Sequence, residues 1–190
     1  MSRTWFNGAL IDGPLEVARG ERGLLLGDGL FETMLVLNRT PLWGNMHLAR
    51  LEAAAHELGL GFHRDSLDDA IAEILDGIPK LHHVLRVTLT RGSAARGLAA
   101  VGGSSSLLLM LDAFDPAMML KPVALSSTAI RRNPASVSCR LKTTSYIDNI
   151  AAAREAASHG VEDALMLNTA GNVACTTIAN VFLLKGKTLI

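Results

Sequence analysis

The chain has 190 residues, 49% hydrophobic and 4% aromatic, with 18 basic against 18 acidic side chains and no net charge. That apolar content supports a substantial core, in one domain or two small ones. Balanced charge and few aromatics exclude a polybasic nucleic-acid or membrane-surface binder and a base-stacking platform.

The first stretch alternates short strand patterns with turns: Trp5-Phe6, the turn Asn7-Gly8, then Leu10-Ile11. Gly27-Asp28-Gly29 introduces a strand over Leu30–Leu37, and Asn38-Arg39-Thr40 reads as the hairpin turn after it. Asn45 is a candidate N-cap for a helix from Met46 to Leu58, closed by Gly59, with Met46, Leu51, Ala54, Ala55 and Leu58 as its apolar stripe. Asp65 to about Leu75 predicts a second helix, stopped by Gly77 and Pro79. Val84–Thr90 alternates as a strand with Leu85, Val87 and Leu89 on one face, and the adjacent His82 and His83 fall on opposite faces. Arg91 to Gly97 reads as a mobile basic loop, and Leu107–Leu111 as another strand.

Pro116 and Pro122 bracket a linker. Beyond it come a strand near Val123–Ser127, an irregular Arg/Asn/Pro stretch, and a helix over Ile147–Ser158. A strand over Ala164–Leu167, a turn through Asn168–Asn172 and a last strand over Val181–Leu184 follow. The expected organisation is a small N-terminal domain over 1–115, a linker over 116–122 and the start of a larger domain over 123–190. The pattern is α+β, helices packed on mostly antiparallel strands. Thr188-Leu189-Ile190 reads as the start of a strand without its neighbours, so further sequence is expected there.

Two cysteines, Cys139 and Cys175, make neither a disulfide framework nor a metal site, and six scattered histidines show no ligand spacing. The N-terminus lacks the charged-then-apolar plan of a signal peptide, and no apolar run reaches membrane-spanning length. A cytoplasmic protein is expected.

Lys142 is the residue that points to chemistry. It lies close to Arg140 in the Ser/Thr-rich turn Thr143-Thr144-Ser145, just before a helix. An amine attacks an aldehyde only when deprotonated, and burial or neighbouring cations lower a lysine pKa. On this local pattern alone a solvated surface lysine is the commoner outcome.

Motifs along the whole chain strengthen the functional reading. Gly27-Asp28-Gly29-Leu30-Phe31-Glu32-Thr33 is followed by His47-Leu48-Ala49-Arg50-Leu51, Arg91-Gly92 to Arg96-Gly97, Arg132-Asn133-Pro134, and Lys142 through Tyr146 and Asn149. Gly160 to Leu165 and Gly171-Asn172-Val173 to Asn180-Val181-Phe182 close the series. In this order and spacing the chain resembles the class IV, or fold-type IV, pyridoxal-phosphate enzymes: branched-chain and D-amino-acid aminotransferases and 4-amino-4-deoxychorismate lyases. The resemblance implies a two-domain α+β fold, pyridoxal 5'-phosphate as cofactor, an amino acid and a 2-oxo acid as substrates, and a homodimer.

Residue by residue, it implies that Lys142 captures the cofactor aldehyde and later moves the substrate proton. Arg50 matches the arginine on the cofactor phosphate, a task suited to a planar guanidinium. Tyr146 matches a tyrosine near the cofactor's phenolic oxygen, and Thr176 and Thr177 match small polar positions near the phosphate. Phe31 and Glu32 lie in the segment lining the substrate side, and Arg91 and Arg96 flank a loop able to reach a substrate carboxylate. Bland alternatives stand beside each: an exposed helix arginine, a core phenylalanine or tyrosine, ordinary strand threonines, a solvated basic loop.

One position departs from the family. Where a glutamate normally faces the pyridine nitrogen, this chain has Cys175. A carboxylate there keeps the nitrogen protonated and the ring an electron sink, whereas a thiol is a weaker partner unless ionised. The expected activities are transamination first and aminodeoxychorismate cleavage to pyruvate and 4-aminobenzoate second. A relative that has lost catalysis is the third reading.

Overall fold

The computed structural model describes residues 2–99 and 103–190 and divides into two compact units. The first comprises Met1–Met119 together with Leu141–Ser145, and the second Leu120–Arg140 with Tyr146–Ile190.

In the first unit, β1 (Arg3–Phe6) and β2 (Ala9–Ile11) form a hairpin. Its turn places Asn7 at φ 45° and Gly8 at φ 109°, the left-handed conformations a tight hairpin requires. A short helix α1 (Arg22–Leu26) precedes β3 (Gly29–Leu37) and β4 (Thr40–Pro41), which turn through Asn38 and Arg39, both at positive φ. Helices α2 (Gly44–Leu58) and α3 (Arg64–Leu75) lead to β5 (His82–Thr90) and β6 (Ser106–Ala113). The sheet order is β2-β1-β6-β5-β3-β4, and every pairing is antiparallel.

Period-two alternation decides which side chains meet the helices. Leu30, Met34 and Val36 of β3, Leu85, Val87 and Leu89 of β5, and Leu109 and Leu111 of β6 are buried in one cluster. Leu48, Leu51, Ala54 and Ala55 of α2 and Leu67, Ile71, Ile74 and Leu75 of α3 complete it. Each large aliphatic side chain so buried contributes about 1.5–3 kcal/mol. His83 is buried at 2% exposure, while His82 is only half-buried, as expected from alternation.

The start of α2 differs from its expectation. Trp43, at φ 53°, occupies the cap position, and the helix begins at Gly44 with no side-chain cap. The Asn45 side chain instead accepts a hydrogen bond from Arg64 Nη2 at 3.0 Å. Met46 is 72% exposed and leaves the stripe to Leu48. Hairpin closure between β3 and β4 sets where the chain can enter the helix, and this overrides the preference for an asparagine cap.

In the second unit, β7 (Leu125–Arg132) leads through α4 (Val137–Arg140) and α5 (Ile147–Ser158) to β8 (Asp163–Asn168), which pairs parallel to β7. β9 (Val173–Thr176) pairs antiparallel to β8, after a turn in which Asn168 Oδ1 accepts from the Ala170 and Asn172 amides. Helix α5 packs on β7 and β8 through Ala152 and Ala156, whose small side chains meet Ala164 and Met166. The final hairpin is β10 (Leu184–Lys185) with β11 (Thr188–Leu189). The strand expected at Val181–Leu184 is thus displaced to Leu184–Lys185, because Gly186 at φ 62° and Lys187 make the two-residue turn.

No helix among the described residues is long and apolar enough to cross a membrane, and none of their side chains cluster as a metal site.

Candidate active site

Lys142 is positioned by backbone hydrogen bonding to a strand far away in sequence. The segment Leu141–Ser145 lies along β3: the Phe31 amide donates to the Lys142 carbonyl and the Thr144 amide to the Gly29 carbonyl, both at 2.9 Å. Thr144 Oγ1 also donates to the Gly27 carbonyl at 2.8 Å. Gly29 permits this approach, since a Cβ there would lie 2.9 Å from the Leu89 carbonyl oxygen and 3.3 Å from Thr144 Oγ1. Gly27, at φ 66°, ends α1 in the left-handed conformation.

Opposite Lys142, Phe31 lies one residue out of phase with the core face of β3, and it is 6% exposed. Lys142 Nζ sits 4.1 Å from the centre of its ring and Arg86 Cζ 3.9 Å from it. A ring face attracts a cation, so Phe31 holds the lysine side chain down. Burial pushes the Lys142 amine below the ordinary lysine value; Glu32 opposes this, and Arg50 and Arg86 reinforce it. The net effect enlarges the fraction of nucleophilic amine.

Glu32 and Arg50 form the second cluster. Glu32 is 1% exposed, on the core face of β3. Arg50 Nε donates to its Oε1 and Nη2 to its Oε2, each at 2.6 Å, and His47 Nδ1 lies 2.9 Å from Oε2. His47 and Arg50 are three residues apart on α2 and so share a helix face.

A third cluster holds the segment after β5. Asp28 accepts from Nε of both Arg22 and Arg91 at 2.8 Å. Arg91 also donates to the carbonyls of Leu58 and Gly59, and Arg22 to those of Gly97 and Leu98. Burial raises the Asp28 carboxyl, but the two guanidiniums outweigh it and hold it below its usual value. The loop expected to be mobile is therefore tied at both ends, and the Arg91 guanidinium is occupied by these tethers. Arg96 differs: it is exposed and borders a groove of about 600 Å³ with Arg19, Arg22, Leu25 and Leu26.

In the second unit, Arg132 Nη1 donates to Asn149 Oδ1 at 3.0 Å and Nη2 to the Cys139 carbonyl at 3.2 Å. Asn149 Nδ2 in turn donates to the Thr177 carbonyl at 2.6 Å. The Thr177 hydroxyl donates to Asp163, and Thr176 Oγ1 accepts from the Ala179 amide at 3.0 Å. Thr176 and Thr177 are both buried, Cys175 is half-buried, and Tyr146 is half-buried at the cap of α5. Burial pushes the Cys175 thiol up; Arg132 opposes this, while Cys139 and Asp163 add to it. Cys175 is therefore a neutral thiol at neutral pH.

The first unit carries these residues in two clusters, Lys142 and Arg86 on the Phe31 ring and His47 and Arg50 on Glu32. Sequence reasoning gave no role to His47, Arg86 or Asn149. For Arg86 a signal was present: a charged residue lies between Leu85 and Val87 in a strand, as Glu32 lies between Phe31 and Thr33, and such charges persist only with partners.

The class IV amino-transferase model matches residues 29–190. The Bacillus subtilis aminodeoxychorismate lyase is 28% identical over 174 residues, covering 88% of this chain and 59% of that protein. A Methanocaldococcus jannaschii protein provisionally named a branched-chain-amino-acid aminotransferase is 24% identical, covering 98% of this chain and 67% of its own length. A crystal structure from Legionella pneumophila, provisionally named a 4-amino-4-deoxychorismate lyase, superposes with a TM-score of 0.82 at 34% identity. It spans 93% of this chain and 65% of that one. The chain thus spans about three fifths to two thirds of the length of these relatives. Members of the matched family are pyridoxal-phosphate-dependent aminotransferases or lyases, and this chain belongs to it: it is a class IV aminotransferase-family polypeptide of mixed α/β fold.

Proposed function

We propose that this chain carries out pyridoxal-phosphate-dependent amino-group chemistry with Lys142 as its catalytic residue. The observation that carries the reading is a half-buried lysine on the Phe31 ring whose pKa burial lowers, in the same unit as a guanidinium held in a fixed plane. An amine for an aldehyde and a cation for a phosphate are the donor set this cofactor needs, so the residues fit it. When bound, the cofactor supplies an electron sink for negative charge at the substrate Cα.

The protein's own groups do the rest. Lys142 Nζ would be the group that holds the cofactor through its aldehyde and would move the substrate Cα proton, a task that suits an amine with a lowered pKa. If the cofactor binds here, Arg50 would take its phosphate, and Tyr146, Thr176 and Thr177 would be the cofactor-binding residues that the second unit offers. Cys175 would be the residue at the ring nitrogen, where a neutral thiol would stabilise a protonated ring less than a carboxylate does. Arg96 is the better candidate for a substrate carboxylate, because Arg91 spends its donors on Asp28, Leu58 and Gly59. Phe31 stands on the substrate side.

Between the two reactions, transamination between an amino acid and a 2-oxo acid was the first expectation. The lyase reading gains from the relatives: the two with identities of 28% and 34% carry that name, and the aminotransferase match stands at 24%. The proposed substrate is therefore 4-amino-4-deoxychorismate, yielding pyruvate and 4-aminobenzoate, with transamination as the second activity. A second copy of the chain is the proposed partner, checked by light scattering after gel filtration.

The deciding experiment is borohydride reduction with the cofactor, peptide mapping, and assay on both substrates. A reduced label on Lys142 with pyruvate release supports the lyase. A label with 2-oxo acid formed from an amino acid alone supports the transaminase. No label on Lys142 overturns the reading.

A further inference from the structure

Glu32 stands on the wrong face of its strand for a charge. Its neighbours two residues away, Leu30 and Met34, are core residues at 1% and 2% exposure, and its cross-strand partner is the buried Val87. An unpaired carboxylate in such surroundings costs several kcal/mol. It persists here because both oxygens are bonded, Oε1 by Arg50 Nε and Oε2 by Arg50 Nη2 and His47 Nδ1.

The pairing is unequal in exposure. Glu32 is immobile in the core, whereas the Arg50 side chain is 56% exposed. An arginine at that exposure ordinarily samples many rotamers, and two parallel bonds to a fixed carboxylate remove that freedom. Glu32 also directly follows Phe31, whose amide donates to the Lys142 carbonyl at 2.9 Å. Lys142 experiences burial, Arg50 and Arg86, all disfavouring its ammonium, and Glu32 is the acidic influence set against them.

We propose that Glu32 is a positioning residue for this site, fixing the plane of Arg50 for an anion and supplying an acidic counter-charge for Lys142. The proposal rests on the reading of Lys142 and Arg50 given above. It assigns Glu32 no contact with substrate.

The test uses the chain without cofactor, comparing wild type with Glu32→Gln and Glu32→Asp. The pH midpoint of the Lys142 amine is read by NMR after reductive methylation with labelled formaldehyde. Inorganic phosphate affinity is read by calorimetry. E32Q keeps the shape and removes the charge, so the Lys142 midpoint moves down, and phosphate binding weakens roughly tenfold as the paired bonds to Arg50 are lost. E32D keeps the charge and withdraws it by one methylene, so the midpoint stays near that of wild type while phosphate binding weakens. A role in packing alone would not produce this split.

An unchanged or raised midpoint in E32Q overturns the counter-charge. Phosphate affinity that holds or rises in both variants overturns the positioning. Should E32Q fail to fold, E32D decides: full phosphate affinity there overturns the proposal. A wild-type chain that takes no cofactor label at Lys142 sinks the functional reading instead, leaving these cofactor-free comparisons intact.

Discussion

Cys175 is the residue proposed to stand where the family carries a glutamate, and its environment makes a definite prediction. Burial lifts the thiol, with Cys139 and Asp163 adding to the effect and Arg132 working against it. Its thiolate is therefore scarce at the pH where free cysteine ionises, about 8.5. Alkylation by iodoacetamide, followed by peptide mapping, is expected to be slower at Cys175 than for free cysteine at pH 8. The rate should still be rising with pH where free cysteine has levelled off. Arg132→Gln should slow it further; faster alkylation in that variant contradicts the assignment of Arg132 as the opposing charge. Replacing Cys175 with Glu is expected to speed the half-reaction with an amino donor, because a carboxylate better supports a protonated ring nitrogen. No gain, with cofactor bound as in wild type, refutes that role.

At the scale of elements, the tethered loop after β5 shows how one carboxylate organises three segments. Asp28 lies just before β3, and its two arginines reach the end of α2 and the backbone at residues 97 and 98. Its carboxyl is held low, so its stabilising contribution is complete above the unfolded value of about 3.9 and is lost as pH falls below that toward the folded value. Asp28→Asn should therefore cost about 2 kcal/mol near neutrality and flatten the acid limb of a stability profile. A variant that melts like wild type at pH 7 would show the cluster to be ornamental. Alternation made β5 legible in advance and apolar content made β3 and β6 so, and α3 and α5 were found within a residue or two because such signals act locally. Asn45 misled because a cap preference is worth about 1 kcal/mol and the preceding hairpin outweighs it. β9 went unread since Val173–Thr176 is too short to show alternation. The Lys142 motif was visible, but the pairing of Leu141–Ser145 with β3 was not, because no local pattern encodes a contact over more than a hundred residues.

At the scale of the molecule, the two units are not successive stretches of chain. The polypeptide leaves the first unit after Met119, returns for Leu141–Ser145, and leaves again. We propose the segment over 116–122 as the interdomain linker, and limited proteolysis is expected to cut there first. The halves should nevertheless elute together without denaturant, because the C-terminal piece still supplies residues to the N-terminal sheet. Clean separation of the two fragments would show that these backbone bonds do not hold. The same threading orders events on the ribosome. The sheet can be synthesised and can begin to collapse by residue 113, yet Lys142 has then still to be made. The Lys142 amine meets the Phe31 ring only after the polypeptide has doubled back, so this lysine is installed late into a scaffold already waiting for it.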